Sequence, residues 1–336
     1  MEETSNPMTI EQAIARYLEN VRLARSKNTA RTYANGMALF KAMLAAHRVQ
    51  PEKTPLERLP EEAIAWFAEY LKIDAPTTER LYLTAAAGLY EYLAAEGWLE
   101  VNLPRIRLLI RQRARRPGVR LPQFPGNAIA QVIQSAALLP HAPAADEAES
   151  LRNFRDCAFL LTLADTGLRV HEACGLRRGD VEWFEGKAVI IGKGNREAVV
   201  RFSERSLRAI KDYLAARARL DGSSGRQLSS LPLFARHDLG AGKKVQPITT
   251  ATGRNIVTQR VREFLGEDAV GTITPHSFRH YFVTTVLNAT GNLKLAQELA
   301  RHQNIAVTQR YAHLNDDELD KGYNDIFNQA KGKPGP

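Results

Sequence analysis

Thr274-Pro275-His276-Ser277-Phe278-Arg279-His280 is the densest piece of chemistry in this 336-residue chain, and it heads a segment, Thr274 to Ala289, with helical patterning. Ala300-Arg301-His302 and then Arg310-Tyr311-Ala312-His313 follow it. Upstream, Val181 to Phe184, Ala188 to Ile191 and Ala198 to Phe202 read as strands, with Gly192-Lys193-Gly194-Asn195 turning between the last two. That β-rich patch is too short for a doubly wound sheet. Around it Ser203 to Arg217, Thr252 to Leu265 and Asn292 to Ala300 are again helical, so the expected fold is mainly α with a small antiparallel β-sheet.

Arg169, Lys193, His276, Arg279, His302 and Tyr311 together supply cationic side chains, proton-handling side chains and one phenol. Breaking a phosphodiester needs an in-line nucleophile, charge stabilisation on the non-bridging oxygens and a proton for the departing 5′ oxygen. Tyr311 is the candidate nucleophile. A phenol is only about one part in a thousand ionised at pH 7, so neighbouring cations must favour the phenolate, and Arg169, Arg279 and His302 are the candidates for that field. Arginine suits the two clamp positions because its planar fork donates twice to phosphate oxygens and keeps its charge. Lys193, between glycines in a hairpin turn, is placed like a mobile proton donor, and His276 can supplement either role.

Each residue also has a plainer reading. Tyr311 can be a packed aromatic and Lys193 a solvated turn residue. His276 and His280, four apart on a helix, have zinc-site spacing, but Ser277 stands where a zincin has its glutamate and no third ligand of matching context follows, so no metal is expected. Glu172 and Arg169 can form an ordinary surface ion pair; a buried Glu172 would instead orient a catalytic side chain.

Two domains are the natural expectation for 336 residues. A net charge of +9 and a pI near 9.6 favour a polyanionic partner. Two cysteines, Cys157 and Cys174, fall far short of a secreted disulfide framework and suit a reducing cytosol. No signal peptide opens the sequence, and no apolar run approaches the ~20 residues that span a bilayer. A soluble, cytoplasmic protein is expected.

Thr9-Ile10-Glu11-Gln12 has capping-box spacing before the apolar stripe Ile14, Tyr17, Leu18 and Val21. Asn28 reads as the cap of a second helix, Pro60 as the start of a third, and Thr77 as the cap of a fourth that ends at Gly97. These make a compact four-helix bundle over residues 8–102. Residues 103–123 read as a basic interdomain linker, in which Arg105, Arg107, Arg111, Arg113, Arg115 and Arg116 suit phosphate contact or merely a solvated connector. Lys27 and Arg31, near a helix start, are further DNA-contact candidates, although solvated helix ends look the same. Residues 124–330 form the second domain and carry the whole chemical set.

These motifs resemble the tyrosine recombinase (phage integrase, Xer-like) family along nearly the whole chain. Thr166-Gly167-Leu168-Arg169-Val170-His171-Glu172 resembles the family's first arginine box, and Gly192-Lys193-Gly194-Asn195-Arg196 its β-hairpin lysine. His276-Ser277-Phe278-Arg279-His280 resembles its H-x-L-R-H box, and the step from His302 to Tyr311 its histidine-to-tyrosine spacing. The resemblance implies a SAM-like helical core-binding bundle followed by an α+β catalytic domain with a tail helix. It implies a site-specific recombinase in which Tyr311 forms a 3′-phosphotyrosyl link and releases a 5′ hydroxyl that attacks a partner strand, in integration, excision or resolution. Arg169, Arg279, His276 and His302 would stabilise the phosphate, Lys193 would be the general acid, and Glu172 and His280 would support them. Neither metal nor ATP nor any other cofactor is implied. The partner would be double-stranded DNA, clamped by the two domains, with four protomers on two sites and monomers or dimers off DNA. A partner recombinase or accessory protein is left open.

Two of the boxes depart from the family pattern, at three positions. Arg301 replaces the usual glycine before the second histidine and Ala300 a leucine, while Phe278 replaces the leucine of the H-x-L-R-H box; either can alter packing or add a phosphate contact. The tail from Asn315 to Phe327 reads as an amphipathic helix, docking on a neighbouring protomer or in cis. By the same resemblance, a chain of this length is expected to lack an extra arm-binding domain. A type IB topoisomerase and a DNA-binding protein without catalysis are the competing readings.

Overall fold

The structure is a computed structural model that describes residues 7–115, 126–192, 197–238, 240, 244–302, 304, 305 and 308. Lys193, Tyr311, Arg116 and the tail from Asn315 to Phe327 lie outside the described residues. The chain divides into two compact units, Met1–Arg120 and Leu121–Pro336.

In the first unit Thr9 and Gln12 exchange side chain-to-backbone bonds and start α1 (Ile10–Ala24), whose buried stripe is Ile10, Ala13, Ile14, Tyr17 and Val21. The second helix, α2 (Lys27–Ala46), is capped by Ser26, which accepts from the Thr29 amide, and not by Asn28, which lies inside the first turn. Ser26 has the extended backbone a cap requires, so the helix begins earlier than Asn28 suggested. Pro60 lies before the third helix, α3 (Ala63–Tyr70), and its carbonyl accepts from the Tyr90 hydroxyl at 2.6 Å. The fourth, α4 (Pro76–Ala95), has Pro76 in its first turn, where the missing amide costs nothing, and Thr77 falls within the helix. Phe40, Phe67, Leu83, Leu89 and Tyr90 close the core between these helices.

The stretch that reads as a basic interdomain linker is in its described part a fifth helix, α5 (Leu103–Arg113), capped by Asn102. Leu103, Ile106, Leu109 and Ile110 recur at helical spacing and face the core of the first unit, Ile106 fully buried. Counting arginines concealed that stripe. Three of those arginines hold carboxylates of the same unit: Arg105 with Glu61 and Glu62, Arg107 with Glu91, and Arg115 with the buried Glu79, which also takes Lys72. Arg111 and Arg113 are exposed and form no ion pair among the described residues, and Lys27 and Arg31 are likewise exposed on α2.

The second unit is built around a buried helix, α7 (Glu147–Thr166), capped by Asp146 and preceded by α6 (Gly126–Leu138). After α8 (Val170–Gly175) come three antiparallel strands in sequential order, β1 (Val181–Glu182), β2 (Lys187–Ile191) and β3 (Glu197–Arg201). Ala188 pairs with Val200 and Ile190 with Ala198, so these four face the core while Val189, Ile191 and Val199 stay exposed. The first strand stops short of Phe184, which lies exposed in the turn. Helices α9 (Glu204–Ala216), α10 (Ala218–Gly222), α11 (Thr250–Leu265), α12 (Pro275–Thr290) and α13 (Leu293–Ala300) follow. Phe278, the departure from leucine, is wholly buried in this core. No helix among the described residues is long and apolar enough to cross a membrane.

A buried ionic cluster ties α7 to α11. Asp156 accepts from Arg155 Nε at 2.8 Å and from Arg260 Nε at 2.9 Å, and Arg260 Nη2 also donates to Asn153 Oδ1. Removing the carboxylate strands Arg155 in the core and leaves Arg260 to Glu263 and Asn153, a loss of about 3–5 kcal/mol for a broken buried pair. Asp156→Ala is therefore expected to lower the melting temperature by roughly 10 °C, at ~2–4 °C per kcal/mol for a unit of this size. Calorimetry decides it, and a shift under about 2 °C would mean that water substitutes for the carboxylate.

Candidate active site

Three chain segments meet around Arg279. At the end of α7, Gly167 takes a left-handed turn with φ 59°, and a Cβ there would lie 2.5 Å from the Phe282 ring. A residue with a side chain would be strained on both counts. The turn aims the Gly167 carbonyl at α12, where it accepts from Arg279 Nη1 at 2.5 Å. Arg279 Nη2 donates to the Ala300 carbonyl at the end of α13, and Nε to His302 Nε2 at 3.3 Å. The guanidinium is thus buried and pins the last turns of α7 and α13 together.

Arg169 begins α8. Its amide donates to Glu172 Oε2 and its Nη1 to Glu172 Oε1, both at 2.8 Å. Glu172 is buried, so the surface-pair reading is replaced by the alternative: the carboxylate holds Arg169, whose side chain remains 37 % exposed and able to meet a ligand. Burial pushes the Glu172 carboxyl up, but the Arg169 amide and the Arg301 and Arg169 guanidiniums outweigh it and hold it below the usual carboxylate range.

His302 is not a source of positive charge here. Arg279 Nε can only donate, so His302 Nε2 accepts, and Nδ1 carries the proton to Thr308 Oγ1 at 2.9 Å. Burial, then Arg279 and Arg169, push this imidazole down to about 4. Four residues on, α12 stacks His276 edge-on against His280, ring centroids 4.4 Å apart. His280 is pushed down to about 4 by burial, His276 and Arg279. His276 is exposed, and it too is lowered, by partial desolvation and by Arg279 and Arg169. Ser277, at the zincin glutamate position, accepts from the Thr274 amide at 3.0 Å and so serves the start of the helix.

The structure therefore pairs Arg169 with Glu172 and Arg279 with His302, and Arg301 links the two pairs through Glu172 and the Gly167 carbonyl, with His276 and His280 on the helix that carries Arg279. Lys193 and Tyr311 lie outside the described residues. Sequence reasoning missed Thr308, which orients His302, and the use of the Gly167 carbonyl as an anchor; only the glycine after a long apolar helix pointed to the latter.

A consequence for stability follows from the neutral histidines. His237 joins them: its Nε2 accepts from Tyr213 Oη at 2.8 Å, because that oxygen already accepts from Arg217 Nη1 and the Ala235 amide. Burial, then Arg155 and Arg217, push His237 down to about 3. Folded values below the ordinary 6.5 mean that the unfolded chain takes up protons first. Their stabilisation is complete above pH 6.5 and is lost as the pH falls to about 4 for His280 and His302 and to about 3 for His237. Melting temperatures should decline steadily through that window, and a flat profile from pH 7 to about 4.5 would refute it.

Residues 138–318 match the phage integrase family. The chain belongs to that family of tyrosine recombinases, and as such it is an enzyme of site-specific DNA recombination. It is 29 % identical to tyrosine recombinase XerC of Thermodesulfovibrio yellowstonii over 90 % of this chain and 91 % of that one. With tyrosine recombinase XerC of Rhodospirillum centenum it shares 29 % over 94 % of this chain and 86 % of that one. Among solved structures, the Tn1549 transposon integrase in complex with transposon right end DNA shares the fold, with TM-score 0.65, 18 % identity and coverage of 96 % of this chain and 100 % of that one. XerH site-specific recombinase bound to its difH substrate does so with TM-score 0.64, 17 % identity and coverage of 94 % and 84 %.

Proposed function

We propose that this recombinase cuts double-stranded DNA by attack of Tyr311 on a phosphodiester, forming a 3′-phosphotyrosyl bond and breaking the bond to the 5′ oxygen, which leaves as a hydroxyl. Lys193 supplies the proton for that oxygen. Arg169, Arg279 and His276 surround the non-bridging oxygens, and neutral His302 holds Arg279 in place. Attack of a partner's 5′ hydroxyl on the phosphotyrosyl bond reverses the chemistry and exchanges strands. No step requires a net oxidation, a metal or ATP.

The observation that carries this reading is the network in which Arg301 joins the Arg169–Glu172 pair to the Gly167 carbonyl that holds Arg279 and, through it, His302. Buried polar groups in such number, with an exposed guanidinium edge at Arg169, suit an anion whose charge must be met by preorganised donors. Residues 8–102, with Lys27 and Arg31 exposed, would bind the DNA beside the cut; Arg111 and Arg113 are free for phosphates, whereas Arg105, Arg107 and Arg115 would first exchange a carboxylate. Relatives solved with DNA support that partner. Two sites held by four protomers, with monomers or dimers off DNA, complete the proposal.

The test uses pooled nicked duplexes from the source genome in the presence of a chelator. The protein is expected to become covalently bound to one inverted-repeat site. Capture without sequence preference would point to a relaxing enzyme, and tight binding with no covalent capture would overturn the reading.

A further inference from the structure

Arg301 caps α13 with a left-handed backbone, φ 57° and ψ 44°, a region that residues with a Cβ occupy at a cost. Its side chain turns inward and is only 12 % exposed. Nη2 lies 3.1 Å from Glu172 Oε2 and 3.4 Å from the Gly167 carbonyl. Those are the two acceptors that already hold Arg169 and Arg279, so Arg301 stands between the two guanidiniums and touches the anchor of each.

One consequence is electrostatic. Glu172 alone with Arg169 would make a neutral pair, and the guanidinium would meet a phosphate with much of its charge compensated. With Arg301 on the second side, one carboxylate faces two cations and the cluster keeps a net positive charge. The other consequence is geometric: a carboxylate and a carbonyl that accept from one amino group, Arg301 Nη2, are held within hydrogen-bond reach of the same point. Arg301 Nε and Nη1 are buried and make no hydrogen bond among the described residues, so the side chain is kept there at the expense of its own donors.

We propose that Arg301 is a positioning residue of the recombinase, which shares Glu172 with Arg169 and the Gly167 carbonyl with Arg279, sets the spacing of the two phosphate-binding guanidiniums and leaves them positively charged toward DNA. It rests on the reading that a phosphodiester is cleaved at this cluster.

The experiment measures the rate of covalent adduct formation at saturating nicked DNA, with the Kd for the same duplex, in Arg301→Met, Arg301→Lys, Glu172→Gln and the Met/Gln double variant. Arg301→Met is expected to slow the reaction about 30-fold while the Kd changes less than about 3-fold, and Arg301→Lys to recover most of the loss. Because Arg301 acts through Glu172, adding Arg301→Met to Glu172→Gln should cost less than about 3-fold more. A wild-type rate in Arg301→Met, or losses that multiply in full, would overturn the proposal. If Arg301→Met fails to bind DNA, Arg301→Gly takes its place: it relieves the left-handed backbone, is expected to be slow, and sinks the proposal if it is as fast as wild type. Should the wild-type protein form no adduct, the recombinase reading itself falls, and this inference with it.

Discussion

Tyr311→Phe is expected to abolish covalent capture of DNA, a loss of about 10⁵-fold or more, as when the nucleophile of a covalent catalyst is removed. The two side chains differ by a single oxygen, and that oxygen is the atom that bonds to phosphorus. The phenylalanine keeps the ring, so DNA binding should change less than about 3-fold, because most affinity for a duplex comes from phosphate contacts spread over the interface. The phenol's ordinary pKa near 10 makes the reaction depend on the surrounding cations as much as on the oxygen. The rate should therefore rise with pH in wild type, and no pH should rescue the phenylalanine variant. Adduct that persists in Tyr311→Phe would move the nucleophile to another residue, and mapping the DNA-linked peptide would identify it.

Arg279→Lys is expected to be the next most damaging change, slowing adduct formation by about 10³-fold, the scale of losing an oriented donor together with a phosphate clamp. Charge is formally conserved, so the loss comes from geometry. Arg279 serves the Gly167 carbonyl, the Ala300 carbonyl and His302 Nε2 from one plane. An ammonium is a single point and cannot span them, and burial at this position would also favour its neutral form. Freed of its donor, His302 loses the contact that selects its tautomer. The same variant should melt at a lower temperature, since two chain ends are no longer tied. A lysine variant that cleaves at the wild-type rate would show that only net charge matters here.

Much of the fold is legible in the sequence because local rules and burial agree. Thr9 with Gln12, the apolar stripe of α1 and the alternation in β2 and β3 each encode their element within a few residues. The boundaries drift where several residues compete for one cap: Ser26 takes the place expected of Asn28. The arginines of residues 103–115 show where charge and packing compete. Their charge suggested contact with a polyanion, whereas Ile106 and its neighbours needed a core, and Glu61, Glu62, Glu79 and Glu91, far away in sequence, needed partners.

What the sequence by itself determined is the inventory: a mainly helical chain with one small sheet, the residue types for phosphoryl transfer and a spacing that brought the family into view. Helical period, capping and side-chain chemistry are properties of neighbours along the chain. Tertiary structure alone decided how those residues are used. It buried Glu172 and turned a surface pair into an anchor, made His302 a neutral acceptor, and brought Arg301 between two arginine-holding groups. The physical reason is that charge state and hydrogen-bond direction depend on desolvation and on partners more than a hundred residues apart, such as Gly167 and Arg279, which only the packed fold sets side by side.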